Sequence, residues 1–484
     1  MKKIAPPWRD NLIKENTGGG DHQVTISSYL WRYPLSSGEM FLFNLLTGCI
    51  DVLNAEETGI FLEIERSPER IPEGGEKLAR RMMSRGHIWN DLESQEEAVK
   101  RLMQDLSNQA MQRSLMFFLC VNHACPVGCR HCFELDVPQT TKTLPMPLDM
   151  IQAAFDAIDM IRVDMGRDGR TINLFGGEPF LPQSLESIRY ILKMAQKKGY
   201  RLTTFTSGIF LEPFLPVLKE YAAEFDWFSI TLDVSEEQHN RKRRVKNAYQ
   251  LAAANINRLL ESGIPLIVRI NLDRENIGHL DTMLQTFQQY GWVGRPNFRI
   301  QLSPVTDHHC VRTNQLILDE ASIVLALEAL LRQSPAADLL LDRGCYFSLD
   351  YLAVNLGYRQ PNSLDYAAPG PRVHLCMSNN RSAYLFGADG LVYTCDEVVG
   401  MPKYAVKQYF PSIKKLTNTI WQDLMASEIS KCRACPYIFL CGGGCLLASI
   451  AQHGRPDNPS CPDVNAFLQR YLASHEQDLM QRQG

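Results

Sequence analysis

The chain has 484 residues, of which 45% are hydrophobic and 21% charged, with a formal net charge of −4. That balance suits a water-soluble protein of several domains and excludes a nucleic-acid-binding surface spread over the whole chain. Every apolar run is too short or too interrupted by charge to cross a membrane, and Lys2 and Lys3 have no apolar stretch behind them to make a secretory signal, so a cytoplasmic protein is expected.

Taken in chain order, residues 1–112 read as a module of their own. Stretches 27–34 and 39–46 have β character and are joined by Ser36-Ser37-Gly38, which is turn chemistry; a short apolar stretch, 49–53, comes next. Helical patterns then occupy 55–64, 75–85 and 94–108. From residue 113 to 310 strands and helices alternate. Strands are expected at 115–121, 171–175, 201–206, 227–232, 266–272 and 297–303, with amphipathic helices at 148–163, 184–198, 212–223, 246–262 and 276–290. Consecutive βα units predict a parallel sheet, and six are fewer than the eight of a closed barrel. The fold class expected is therefore α/β, a partial, open-sided (β/α)6 barrel with ligands at the C-terminal strand ends. Residues 311–372 read as a helical bridge. Residues 373–484 are loop-rich and cysteine-rich up to a last helix at 464–479, and no internal repeats are found.

Fourteen cysteines in a reducing compartment read first as metal ligands. Cys49 stands alone, Cys310 and Cys345 are scattered, and Cys120 lies just ahead of Cys125, Cys129 and Cys132. These last three sit on a loop leaving the first strand of the barrel. Three thiolates leave one iron of a [4Fe–4S] cubane open to a small molecule, since such clusters ordinarily take four cysteines. Zinc is the alternative, with His123 or His131 as fourth ligand. The second strand ends in Gly176-Gly177-Glu178-Pro179, where glycines permit close approach and the carboxylate suits an ammonium group.

The CxxxCxxC loop succeeded by the GGEP strand end resembles the radical S-adenosylmethionine (SAM) superfamily. The resemblance implies that Cys125, Cys129 and Cys132 hold a SAM-binding cluster, with His131 where relatives more often carry tyrosine or phenylalanine. It implies that Gly176, Gly177, Glu178 and Pro179 receive the amino group of SAM. Ser207, Thr231, Asp233, Arg269 and Asn271, at further strand ends, become candidates for the SAM carboxylate, its ribose or the substrate. Satisfying local backbone groups is the alternative for each.

The C-terminal series Cys376, Cys395, Cys432, Cys435, Cys441, Cys445 and Cys461 resembles the SPASM domain, which carries two auxiliary [4Fe–4S] clusters, making three in all. By that resemblance Cys376, Cys395 and Cys445 hold auxiliary cluster I, and Cys432, Cys435, Cys441 and Cys461 hold cluster II. Cluster I is either completed by Cys345 or open for substrate. A zinc ribbon on Cys432, Cys435, Cys441 and Cys445 would leave the other three without a role. Gly442-Gly443-Gly444 is expected to fold tightly so that its flanking cysteines reach different clusters. Asp396 takes the place of the catalytic base of sulfatase-maturating relatives; the alternative is a solvated acidic pair with Glu397.

The two resemblances together imply an oxidoreductase that cleaves SAM to a 5′-deoxyadenosyl radical and cross-links a ribosomally made precursor peptide, leader plus core. A reductant such as flavodoxin or ferredoxin is its expected partner, with no nucleic acid and no membrane. The N-terminal module is similar to the winged-helix-like elements that capture leader peptides, which favours this reading over the alternative, a formylglycine-forming sulfatase maturase. An electron-transfer protein without catalysis accords less well with the open three-cysteine site.

Overall fold

The computed structural model describes residues 12–13, 16, 24–129, 132–137, 145–305, 315–333, 341–343, 350–357, 370–374, 377–416 and 424–481. The N-terminal module contains a small pair, β1 (Thr25–Ile26) with β5 (Ile88–Trp89), and a three-stranded antiparallel sheet of β2 (Leu30–Pro34), β3 (Met40–Asn44) and β4 (Ile50–Leu53). The middle strand, Met-Phe-Leu-Phe-Asn, is apolar almost throughout because both its faces are covered. Phe41 and Phe43 join the main core, whereas Leu42 packs with Phe61 and Ile64 of the helix Ala55–Arg66 and Met82 of the helix Glu76–Met83. Asn54 begins the first of these helices by accepting from Glu57 N, and the Glu57 side chain reaches back to the Asn54 N–H.

The barrel strands are β6 (Met116–Asn122), β7 (Thr171–Gly176), β8 (Arg201–Thr206), β9 (Phe225–Thr231), β10 (Leu266–Leu272) and β11 (Phe298–Pro304), all parallel and adjacent in chain order. The expected α/β core is thus present, but its sheet does not stop at six strands. The bridge adds β12 (Leu341–Arg343), parallel to β11. On the other side the C-terminal region adds β13 (Ala383–Phe386), parallel to β6, and then antiparallel β14 (Leu391–Tyr393), β15 (Lys407–Gln408) and β16 (Lys414–Lys415). Among the described residues this makes one sheet of 11 strands. The strand that leads into the cysteine loop is an interior strand of it.

The helices depart from expectation where local chemistry overrides periodicity. The helix expected at 212–223 is broken into a 3₁₀ turn Glu212–Phe214, a short helix Leu215–Glu220 and a second turn Ala222–Glu224. Pro213 and Pro216 supply no backbone N–H, so a continuous helix cannot run through them and each instead stands in the first turn of its own short segment. An additional helix, Glu236–Arg243, has no apolar stripe, and nothing periodic marks it. It forms because the Ser235 side chain caps Gln238 N and because acidic residues open it while basic ones close it. The last helix divides at Ser474–His475 into Val464–Ala473 and Glu476–Gln481. Among the described residues no helix is long and apolar enough to cross a membrane.

The N-terminal module is not an appendage. Leu46, Trp89, Ala98 and Leu102 share one apolar cluster with Ala426, Ile429, Cys432, Ile438 and Phe439, and the Tyr29 ring meets Phe439 edge-on at 5.0 Å. Leu102, from the helix Leu92–Gln112, is 3% exposed there. Leu102→Ala is expected to cost about 2–5 kcal/mol, read as a lower denaturant midpoint together with faster proteolysis of the N-terminal module. An unchanged midpoint would contradict this packing.

Candidate functional site

The loop that leaves β6 is fastened before it reaches its first cysteine. Gly177 N–H donates to Asn122 O (2.9 Å) and Glu178 N–H to Ala124 O (2.9 Å), so the end of β7 continues the ladder into the loop. The glycines are there for this contact. A Cβ on Gly176 would stand 2.3 Å from Asn122 O, and one on Gly177 would stand 2.4 Å from Ala124 O. The close approach they permit is to the loop backbone itself. Asn122 Nδ2 adds bonds to Glu178 O (3.0 Å) and Ser184 Oγ (3.1 Å). The loop's two ends are then clasped together, with His123 Nδ1 3.0 Å from Glu134 Oε2, both side chains buried.

Solvent reaches Cys125, while Cys129 is buried and Cys132 half-buried. The surrounding protein nevertheless dehydrates their thiols, and this burial pushes Cys125 and Cys132 up to about 12; the charges of Glu178 and of the other two cysteines on Cys125, and of Cys129 on Cys132, add to the rise. Thiols that raise one another in this way would gain from a nearby cation. Among the described residues, the group whose ligand atoms all fall within 4.8 Å of one another is Cys120, His123 and Glu134, not these three. The three cysteines are thus spread more widely than the thiolates of a single zinc ion at about 2.3 Å from each sulfur. Cys120 offers no ion site in its turn. Its sulfur is nearly equidistant from the two His123 ring nitrogens, at 3.6 and 3.5 Å, and so lies on the lone-pair axis of neither.

Glu178 is 1% exposed and fully engaged. Its carboxylate accepts from Thr206 Oγ1 (2.6 Å), Ser207 N (2.9 Å) and Phe180 N (3.1 Å), and from the Ser207 hydroxyl. Arg269 and Thr231 are direct partners across β10 and β9, and the Arg269 guanidinium lies 5.5 Å over the Phe205 ring, which meets Trp227 at 5.1 Å. Asn271 comes after Arg269 on the same side of β10, paired with Ser303, as Arg269 is with Gln301. Gln301, Ser303, Phe205 and Trp227 are not among the residues that sequence reasoning singles out; the polar–apolar alternation Arg299-Ile-Gln-Leu-Ser303 is the available signal.

Asp233 turns away from this set. It is fully buried, 3.2 Å from His239 Nδ1 and 3.6 Å from Lys242 Nζ, and Arg243 Nε lies 3.9 Å away. Arg243 in turn donates from Nη1 to Cys129 Sγ at 2.9 Å. His239, Lys242 and Arg243 all belong to the helix Glu236–Arg243, which periodicity does not reveal; the Ser235 cap, acidic first turn and basic last turn are the signals that could find it.

In the C-terminal region the Cys432 thiol is pushed up to about 12, by burial and then by the charges of Cys441, Cys461 and Cys435. Gly442, Gly443 and Gly444 all take positive φ, 59°, 89° and 76°, in the tight turn expected before Cys445. Asp396 is exposed and opens the 3₁₀ turn Asp396–Val398 after Cys395, whose sulfur is 4.0 Å from Asp396 Oδ1. That segment runs on to Gly400, where a Cβ would stand 2.9 Å from the His123 ring. Cys345, Cys376, Cys310 and His131 lie outside the described residues.

Residues 119–287 match the Radical SAM superfamily. No curated protein matches the chain. In fold it is similar to Streptococcus suis SuiB bound to the precursor peptide SuiA, with a TM-score of 0.53 and 15% identity over 90% of this chain and 99% of that one. It is also similar to anSMEcpe with bound AdoMet (TM-score 0.55, 14% identity, 76% of this chain and 98% of that one) and to anSMEcpe with AdoMet and the Kp18Cys peptide (0.55, 13%, 76% and 99%).

Burial would raise the Asp233 carboxyl, but the His239 hydrogen bond and the charges of Arg243, Lys242 and His239 outweigh it and hold the group far below the ordinary carboxylate range. A depressed folded value means that its stabilisation is present above the unfolded value of about 3.9 and is lost as pH falls below it. Asp233→Asn is expected to cost about 3–5 kcal/mol at neutral pH and to flatten the loss of stability below about pH 4. Thermal unfolding against pH tests this, and identical acid limbs for the two proteins would refute it.

Proposed function

We propose that this radical SAM protein, whose residues 119–287 carry the family match, is a peptide-modifying enzyme of the SPASM type, acting on a ribosomally made precursor with a leader and a core. The observation that carries this is the N-terminal strand–helix module. The likeness to SuiB with its precursor peptide runs over 90% of this chain, against 76% for anSMEcpe. In this reading residues 1–112 recognise the leader, 113–310 carry the radical chemistry, 311–372 bridge, and 373–484 hold the auxiliary clusters. An extended peptide adds to a sheet edge through its backbone, which suits leader capture by the small antiparallel sheet.

Cys125, Cys129 and Cys132 would hold a [4Fe–4S] cluster, which together with SAM would supply one-electron, hydrogen-abstracting radical chemistry. The protein's own residues orient and shield. Gly176, Gly177, Glu178 and Pro179 form the strand end assigned to the ammonium group of SAM, and the Glu178 carboxylate fixes its shape through Thr206, Ser207 and Phe180 N. Arg269 is assigned to the SAM carboxylate, and Ser207, Thr231 and Asn271 to its ribose or the substrate; Asp233, buried against His239, Lys242 and Arg243, is not available to either. Val127, Ile209 and Ala248 form an apolar wall beside Cys129 that keeps water from the sulfur. Cys432, Cys435, Cys441 and Cys461 are assigned to auxiliary cluster II, and Cys376, Cys395 and Cys445 to cluster I, with Cys345 completing it or substrate taking the open place. Asp396, exposed beside Cys395, is the assigned base; a flavodoxin or ferredoxin is the assigned electron donor.

The second reading, a sulfatase-type maturase, is favoured by the likeness to anSMEcpe over 98% of that chain. Anaerobic protein with Cys125→Ala is expected to form no 5′-deoxyadenosine, and normal formation would remove the assignment of the cluster. Incubation with a precursor encoded beside the enzyme is expected to lower the peptide's mass by about 2 units, one new bond. An inert precursor, with a sulfatase-derived peptide oxidised to formylglycine instead, would establish the second reading.

A further inference from the structure

The cysteine loop is attached to the barrel at a second place, far from the strand end that carries glycines 176 and 177. Gly128 N–H donates to Arg243 O (2.9 Å), and Arg243 Nη1 donates to Cys129 Sγ (2.9 Å). One residue thus binds the loop by both its main chain and its side chain. Gly128 leaves room for the approach, since a Cβ there would stand 2.8 Å from Arg244 Cδ. Arg243 is 6% exposed. Its Nε and Nη2 are buried and find no hydrogen-bond partner among the described residues, and the nearest anion, Asp233, is 3.9 Å from Nε. A buried guanidinium so weakly compensated is costly. It is held there by the chain turn after Arg243, where Arg244 takes a left-handed φ of 57°.

We propose that Arg243 is a tuning residue of the cluster on Cys125, Cys129 and Cys132, raising its reduction potential by donating a charged N–H to the Cys129 sulfur. The inference rests on the reading of those three cysteines as cluster ligands. The couple concerned is the one-electron reduction of the cluster by an external low-potential donor; no bond is made or broken. Reduction adds negative charge that spreads onto the sulfurs, and a positive donor 2.9 Å from one of them stabilises the reduced form more than the oxidised form. Asp233, 3.9 Å from Nε, moderates the effect through its charge. The apolar neighbours Val127, Ile209 and Ala248 keep water from screening the pair.

The test uses the full-length, anaerobically reconstituted protein and monitors the cluster whose EPR signal changes when SAM is added. In a redox titration without SAM, Arg243→Gln is expected to lower the midpoint so that the reduced-to-oxidised ratio at fixed potential falls about tenfold, which is about 59 mV for one electron. Arg243→Lys, which keeps the charge without the planar fork, is expected to fall between the two. An unchanged midpoint in Arg243→Gln with full iron content overturns the proposal. A measurement on the parent protein serves even if the variants lose the cluster. With ¹⁵N-arginine incorporated, electron spin-echo modulation of the reduced cluster is expected to show a weak ¹⁵N coupling, and its absence overturns the proposal. A parent protein with no SAM-responsive iron signal overturns the ligand assignment and the proposal with it, whereas a normal signal without ¹⁵N coupling overturns the proposal alone.

Discussion

Everything that the cysteine loop does depends on its being held rigid while its thiols repel as thiolates. Three thiols raise one another, and among the described residues no carboxylate or histidine joins them to complete an ion site. The loop keeps its shape through contacts outside the sulfur set. These are the two backbone bonds from Gly177 and Glu178, the His123–Glu134 clasp between its ends, and the double attachment to Arg243. Each comes from a different element, so the loop is pinned from below, across its base and from the side. Such preorganisation would let the cluster proposed for these cysteines bind without first having to order its ligands.

The sheet adds to the same rigidity. Because β13 pairs with β6, the strand feeding the cysteine loop has a hydrogen-bonded neighbour on both sides, β7 and β13. The segment beyond the hairpin then comes back over His123 at Gly400. The region of the C-terminal cysteines and the first cysteine loop are therefore parts of one framework. A displacement of the hairpin would be felt at His123, two residues before Cys125.

Much of this is legible in the sequence. The strands expected at 201–206 and 266–272 have the bounds observed, because each is a run rich in β-branched and apolar residues leading into a helical segment. The cysteine spacing and the Gly176–Pro179 strand end direct attention to the right end of the barrel. What escapes reading has identifiable causes. The helix Glu236–Arg243 has no apolar periodicity, so its buried partners Asp233 and Cys129 give no signal in their own neighbourhoods. The pairing of β13 with β6 joins residues more than 250 positions apart, and local pattern carries no register across such a gap. The break in the helix expected at 212–223 is written in Pro213 and Pro216, against the amphipathic pattern around them. Asp233 reads as a strand-end group facing a ligand; only the structure reveals the three basic partners that bury it.

The apolar cluster shared by Leu46, Trp89 and Leu102 with Ile429, Cys432 and Phe439 has a consequence for the life of the protein in a cell. Cys432 is at once a core residue of that cluster and a thiol crowded by three others. Under the assignment of an auxiliary cluster to these four thiols, a chain that matured without its iron would leave them unsatisfied beside the seam that covers the inner face of the N-terminal helix. A metal missing at one end of the polypeptide would then be translated into exposed hydrophobic surface at the other, where chaperones and proteases can recognise it.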